Sequence, residues 1–188
     1  MTTTIDPVTA LERSYDELTR VVADLSPDQL ALPTCCPDWD VRAVLNHVLG
    51  GAQMYVAAND GELADEDAGD LLGDDPRHAV ASAAAANVAS WQTSGALDGD
   101  RTYPFGTFPA GAGLVINVGE VALHAWDVAT ATGQPAHIDD EVSTLVLDLY
   151  RQVPMDDLRA HGVYGPEIDV PDSASAQDRL LGFLSREQ

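Results

Sequence analysis

Apolar residues recur at helical spacing along several stretches of this chain. The first stretch runs through Leu11, Tyr15, Leu18, Val22 and Leu25, one face of a helix. Asp6 ahead of Pro7 marks its start: aspartate accepts from the exposed N–H groups, and proline in the first turn loses no hydrogen bond. Ser26-Pro27 breaks that helix, and Cys35, Cys36 and the prolines at 33 and 37 mark a loop. Asp38 or Asp40 caps a second helix from about Val41 to Ala58. Its positions Val44, His47, Val48, Gly51 and Met54 read as one stripe, so His47 is expected to point where the apolar residues point. Asp75-Pro76 repeats the cap-and-proline start, and the Ala-rich run 79–89 predicts a third helix ending near Thr93. A fourth runs from about Ala112 to Ala131 and stops at Gly133, a glycine stop signal. Asp139 or Asp140 opens a fifth through Arg151, ended near Pro154, and a short helix follows at about 174–184.

Two stretches carry no helical period. Residues 59–75 are acidic and Gly-rich, which predicts a solvated loop with room for disorder. Gly95 to Gly113 mixes Gly, Pro and aromatics, which predicts an extended or hairpin segment. The sum is an all-α four-helix bundle with one extended excursion and a helical tail. Facing helices of such a bundle build metal and cofactor sites in its interior. With 188 residues, 45% of them hydrophobic, the chain is expected to form one domain over 1–188, with the tail at 155–188 packed on the bundle.

Charge narrows the partners. There are 31 acidic residues against nine basic ones, all nine Arg, for a net charge of -22. A surface this acidic repels phosphate backbones and anionic membranes, so neither nucleic acid nor membrane is an expected partner. The N-terminus lacks a basic region followed by an apolar run, and no apolar stretch is long enough for a membrane span. The two cysteines are adjacent and give no disulfide framework, which suits a reducing compartment. These features together predict a cytoplasmic protein. A homodimer is left open.

The chemistry concentrates in the fourth helix. Glu120 and His124 are four residues apart, on one face and one turn apart, and Asp127 lies three residues further on. Val118, Val121, Leu123 and Val128 make the surroundings apolar, where an ionised carboxylate is costly unless compensated. A divalent cation is one such compensation: Glu120 and His124 would supply two ligands and His47 a third from the second helix, leaving a coordination position open. Asp127 would then accept from a ligating imidazole. On spacing alone two readings stand, because a lone His on an apolar stripe is also the ordinary hydrogen-bonded core residue. Cys35 and Cys36 invite a redox or fourth-ligand role, against the plainer reading of small buried residues. Trp39 and Trp126 read as packing residues, with Trp126 also placed to wall a pocket. His78, His137 and His161 read as surface residues. Tyr103, Phe105 and Phe108 read as aromatic anchors or as the lining of a substrate entrance. No dinucleotide fingerprint, phosphate loop or nucleophile elbow occurs.

A family resemblance bears on this choice. Cys36-Pro-Asp-Trp-Asp-Val-Arg-Ala-Val-Leu-Asn-His47 resembles one signature of the mycothiol-dependent maleylpyruvate isomerase N-terminal domain family, within the DinB-like superfamily. Glu120-Val-Ala-Leu-His124-Ala-Trp-Asp127 resembles its second signature. Phe105-Gly-Thr-Phe-Pro is similar to the link before the metal helix, and Tyr164-Gly-Pro-Glu-Ile together with Asp178-Arg-Leu-Leu-Gly-Phe-Leu resembles the end of its short single-domain branch. The resemblance implies a DinB-like four-helix bundle holding a divalent metal, zinc first and nickel second, on His47, Glu120 and His124. It implies mycothiol or a related thiol as cosubstrate, activated by the metal for addition to a small electrophile. The chain departs from the isomerase in being short for the separate C-terminal domain that completes the isomerase site, which counts against maleylpyruvate isomerisation itself. The competing functions are a non-catalytic metal- or small-molecule-binding module and a metal-dependent hydrolase. No side chain is assigned a catalytic role, and the residues that would recognise the thiol are unassigned.

Overall fold

The computed structural model describes residues 5–64, 69–162 and 164–186. Among these residues, seven helices and one two-stranded hairpin form the regular structure: α1 (Pro7–Ala23), α2 (Val41–Asn59), α3 (Pro76–Trp91), β1 (Asp100–Tyr103), β2 (Gly106–Pro109), α4 (Ala110–Ala131), α5 (Asp140–Tyr150), α6 (Met155–Ala160) and α7 (Ala176–Phe183). A short 3-10 turn (Pro27–Ala31) follows α1. This is an all-α fold. Its core is a four-helix bundle in which α1 packs on α3 and α4, and α2 packs on the same two helices. α5 covers α4 from outside and carries α7. No described helix is long and apolar enough to cross a membrane.

The helices begin where their caps predict. The carboxylates of Asp6, Asp40, Asp75 and Asp139 accept from backbone N–H groups of Thr9, Ala43, His78 and Glu141, and each such cap contributes about 1 kcal/mol. α1 stops at Ala23, two residues before Leu25. α6 is a helix that the sequence pattern does not predict; six residues are too few to show a period. α4 is the central element: sixteen of its 22 residues are buried. A helix apolar all round must be surrounded by protein, and α1, α2, α5 and the hairpin surround it.

The stripe assigned to α2 needs correction. Its buried face is Val41, Val44, Leu45, Val48, Leu49, Ala52 and Tyr55. His47, Gly51 and Met54 run along the margin of that face, and the His47 side chain is 42% exposed. The acidic segment 59–75 is also less free than its composition predicts. Residues 65–68 lie outside the described residues, but Asp70 accepts from Arg42 and Asn46, and the Asn46 side chain accepts from the backbone of Leu71 and Leu72. Leu72 is buried as a result.

The excursion is a hairpin with β1 and β2 antiparallel, seated against α2 and α4. Tyr103 anchors it, packing on Tyr55 with ring centroids 5.2 Å apart. Its hydroxyl lies where a Cβ on Gly113 would stand, so glycine is required there for close approach. The anchor reading of Tyr103 holds, whereas Phe105 stacks on it from the solvent side and is 53% exposed.

Candidate metal centre

α2 and α4 bring three donors together. His47 Nε2 lies 3.0 Å from Glu120 Oε2, and His124 Nε2 lies 3.6 Å from the same oxygen. One ligand atom from each of His47, Glu120 and His124 falls within 4.8 Å of the others. Ligands at about 2.1 Å from a tetrahedral ion stand about 3.4 Å from each other, so this spacing suits one small cation. The two imidazole rings meet edge-on, with centroids 5.0 Å apart, and the Trp39 ring lies 4.7 Å from that of His47. Trp39 therefore forms a wall of the site while also packing, half-buried, against the core. His124 is the buried member; Glu120 is 31% exposed, so the site opens toward His47.

Charge interactions hold the three side chains against one another. Burial pushes the Glu120 carboxyl up, and the hydrogen bonds and charges of His124 and His47 outweigh it, holding its pKa well below the usual carboxylate range. Burial also opposes a charge on His124, but Asp127, Cys36 and Glu120 outweigh it, so the imidazole titrates well above its ordinary value.

His124 is oriented from behind. Its Nδ1 donates to Asp127 Oδ2 at 2.9 Å, which turns Nε2 toward Glu120. Asp127 is fully buried and does more than the sequence predicts. Arg186 clamps it with Nε and Nη2 at 2.8 and 2.9 Å. Cys35 Sγ lies 3.0 Å from its Oδ1 and Cys36 Sγ 3.5 Å from its Oδ2. Burial works against the Asp127 charge, yet His124 and Arg186 hold its pKa low. Of the two thiols, the contact with Cys35 pulls Cys36 below its ordinary value, and the same contact pushes Cys35 up. The plain reading of the cysteines as buried filler fails: Cys35 is exposed and Cys36 half-buried, with both sulfurs aimed at one carboxylate.

The structure brings His47, Glu120, His124 and Asp127 together, as the sequence predicts, and adds Arg186, the direction of the thiols, and a tyrosine group that the sequence does not point to. Tyr164 donates to Tyr150 at 3.1 Å. Burial raises the pKa of all three hydroxyls of Tyr55, Tyr150 and Tyr164; the charge of Glu120 comes next for Tyr55 and Tyr164, and follows Tyr164 for Tyr150. His78, His137 and His161 are exposed, as predicted.

The family model described as the mycothiol maleylpyruvate isomerase N-terminal domain matches residues 11–129. The chain belongs to that family. All three candidate ligands, Asp127 and both cysteines lie inside the matched span; Arg186, Tyr150 and Tyr164 lie beyond it. Two further relatives are uncharacterized proteins of Mycobacterium tuberculosis, from strains CDC 1551 and H37Rv. Each is 27% identical over 193 residues, covering 97% of this chain and 98% of the relative. No solved structure matches the chain.

Proposed function

We propose that His47, Glu120 and His124 hold a divalent cation, zinc in first place, and that the protein uses it to activate a small thiol of the mycothiol class for addition to an electrophile. The observation that carries this reading is the convergence of one donor atom from each residue within 4.8 Å, from two helices, with Asp127 fixing the remaining nitrogen of His124. Two imidazoles and one carboxylate are a borderline donor set, suited to zinc or nickel and poorly suited to calcium or magnesium. Such a cation supplies Lewis acidity that makes a thiol ionise near neutral pH. The protein's own groups supply the rest. Glu120 brings the negative charge that offsets the cation, Asp127 holds His124 in its ligating orientation, and Trp39 shields one side of the site from water. The family, mycothiol-related by its description, supports a small thiol as substrate. His47, at the exposed margin of α2, leaves an approach for that thiol and its electrophile.

Metal analysis of the purified protein tests the first half: one equivalent of zinc or nickel per chain is expected, falling to a trace in His47→Ala and in His124→Ala with the helical content retained. Turnover of an activated alkene or epoxide tests the second half. It should require both the metal and an added thiol. Turnover that needs the metal but no thiol would point instead to hydrolysis.

A further inference from the structure

The loop before α2 and the fifth turn of α4 assemble a second donor cluster, which adjoins the triad at His124 and adds two sulfurs that the triad's three ligand atoms do not include. From the geometry we infer that Cys35 and Cys36 form a separate, sulfur-based site for a thiophilic divalent ion of the zinc or cadmium type, backed by Asp127 and Arg186. One ligand atom from each of Cys35, Cys36 and Asp127 lies within 4.8 Å of the others. An ion with bonds of about 2.3 Å to two sulfurs in tetrahedral geometry sets them about 3.8 Å apart, which lies inside the 4.8 Å that bounds this cluster. A disulfide would need them at about 2.05 Å, and neighbouring residues reach that only by straining the backbone.

The loop is built to hold the sulfurs still. Trp39 N donates to Cys36 O at 3.1 Å, with Pro37 at the second turn position and Asp38 at φ 65° in the third, the pattern of a type II turn. The Thr34 hydroxyl donates to Trp39 O and accepts from Cys36 N, and an isolated bridge pairs Pro33 with Asp40. Both thiols thus reach Asp127 from a closed loop, 91 and 92 residues away in sequence.

Charge decides which ions fit. The Asp127 carboxylate is already neutralised by the bidentate Arg186 guanidinium. A hard ion such as magnesium finds no net negative charge there and no free oxygen pair. A divalent thiophilic ion binds by exchange: two S–H bonds break, two metal–sulfur bonds form, and two protons leave to solvent, so the charge of the site is unchanged. Soft or borderline ions make that exchange favourable and hard ions do not. The inference is independent of the thiol chemistry proposed above.

The test is a Cd2+ titration of the chelator-treated chain, reduced beforehand and then freed of reductant under an oxygen-free atmosphere. The readouts are the ultraviolet sulfur-to-metal charge-transfer band and the number of thiols reactive toward a disulfide reagent. In the wild type the band should saturate and both thiols should become unreactive, and His47→Ala should behave the same way. Cys35→Ser and Cys36→Ser, with unchanged circular dichroism, should each lose the band at the concentration that saturates the wild type. Mg2+ at that concentration should leave both thiols reactive. The inference is overturned if the wild type gives no band, if either serine variant keeps it in full, or if Mg2+ protects the thiols. Loss of the band in His47→Ala and Glu120→Gln would also overturn it, because the sulfurs would then belong to the histidine centre.

Discussion

The two donor clusters share the His124–Asp127 hydrogen bond, yet their carboxylates, two turns apart on α4, are balanced in opposite ways. Glu120 faces two imidazoles, which can give up protons and keep their lone pairs for a cation. Asp127 faces Arg186, which cannot be deprotonated in a protein and offers no lone pair. Similar acids on one helix therefore do different work. A carboxylate whose cationic partner can become neutral is available as a ligand. A carboxylate whose partner is permanently charged is already occupied, and serves to aim the groups around it. Burial follows the same division: Asp127 is closed off with its Arg, while Glu120 keeps an opening toward solvent.

The largest effect expected from breaking this arrangement comes at the residue both clusters share. Asp127→Asn keeps the shape and removes the charge, leaving the Arg186 guanidinium, 11% exposed, without its anion. Removing one partner of a buried pair costs about 3–5 kcal/mol, to be read from urea unfolding. The same change releases the orientation of His124, and zinc affinity should fall about 10–100-fold, as for other partners of a ligating His. Arg186→Met should destabilise the chain while leaving the His124 contact in place, so its loss of zinc affinity should be smaller. Equal losses of affinity in the two variants would mean that Asp127 and Arg186 act only as structural packing.

A pH profile separates the clusters next. In the metal-free chain Asp127 titrates below its unfolded value of 3.8, so its contribution is complete above that pH and is lost as pH falls through the lowered folded value. His124 titrates above its unfolded value of 6.5, so its contribution is complete below that pH and is lost as pH rises toward the raised folded value. Stability of the chelated protein should therefore be greatest between about pH 4 and 6.5, declining on both sides, as measured by chemical unfolding across pH. Saturating zinc should flatten the alkaline decline, because a ligating His124 is already without its second proton. The acid decline, which Asp127 and Glu120 share because both carboxyls are held below their unfolded values, should remain. An alkaline decline that zinc leaves unchanged would place the metal elsewhere.

The sequence makes the frame of both clusters readable and hides the pairing between them. Four aspartate caps, two Asp-Pro starts and the period of α1 and α2 locate the bundle helices to within a few residues. The i, i+4 spacing of Glu120 and His124 puts two donors on one face. Arg186 leaves no such trace, because its partner is 59 residues away and the last residues of a chain show no period of their own. The thiols are hidden for the same reason, and also because a turn, rather than a helix or strand, sets their direction. His47 is legible as a candidate but misjudged in burial. Its place one step off the Val44–Val48 line sets it at the rim, where a ligand is reachable, rather than in the core.

The smallest effect sharpens the comparison most cheaply. Trp39 stands with its ring centroid 4.7 Å from His47 and 6.2 Å from His124, and it immediately precedes the Asp40 cap of α2. It thus touches the histidine centre from the same loop that carries the thiols. Trp39→Leu removes one aromatic contact, worth about 1 kcal/mol, so zinc affinity should fall about fivefold. Trp39 is also the tryptophan whose ring lies against these imidazoles, tilted at 46° and 44°, whereas Trp91 donates to Asn117 inside the bundle and Trp126 is buried in the core. The fluorescence change on zinc binding should therefore vanish in Trp39→Leu while zinc still binds by direct metal analysis. Cadmium at the thiols should leave that variant's charge-transfer band intact, since no sulfur depends on the indole. A zinc-dependent fluorescence change that persists without Trp39 would show that filling the histidine centre is felt in the core, and the two clusters would then have to be treated as one coupled site.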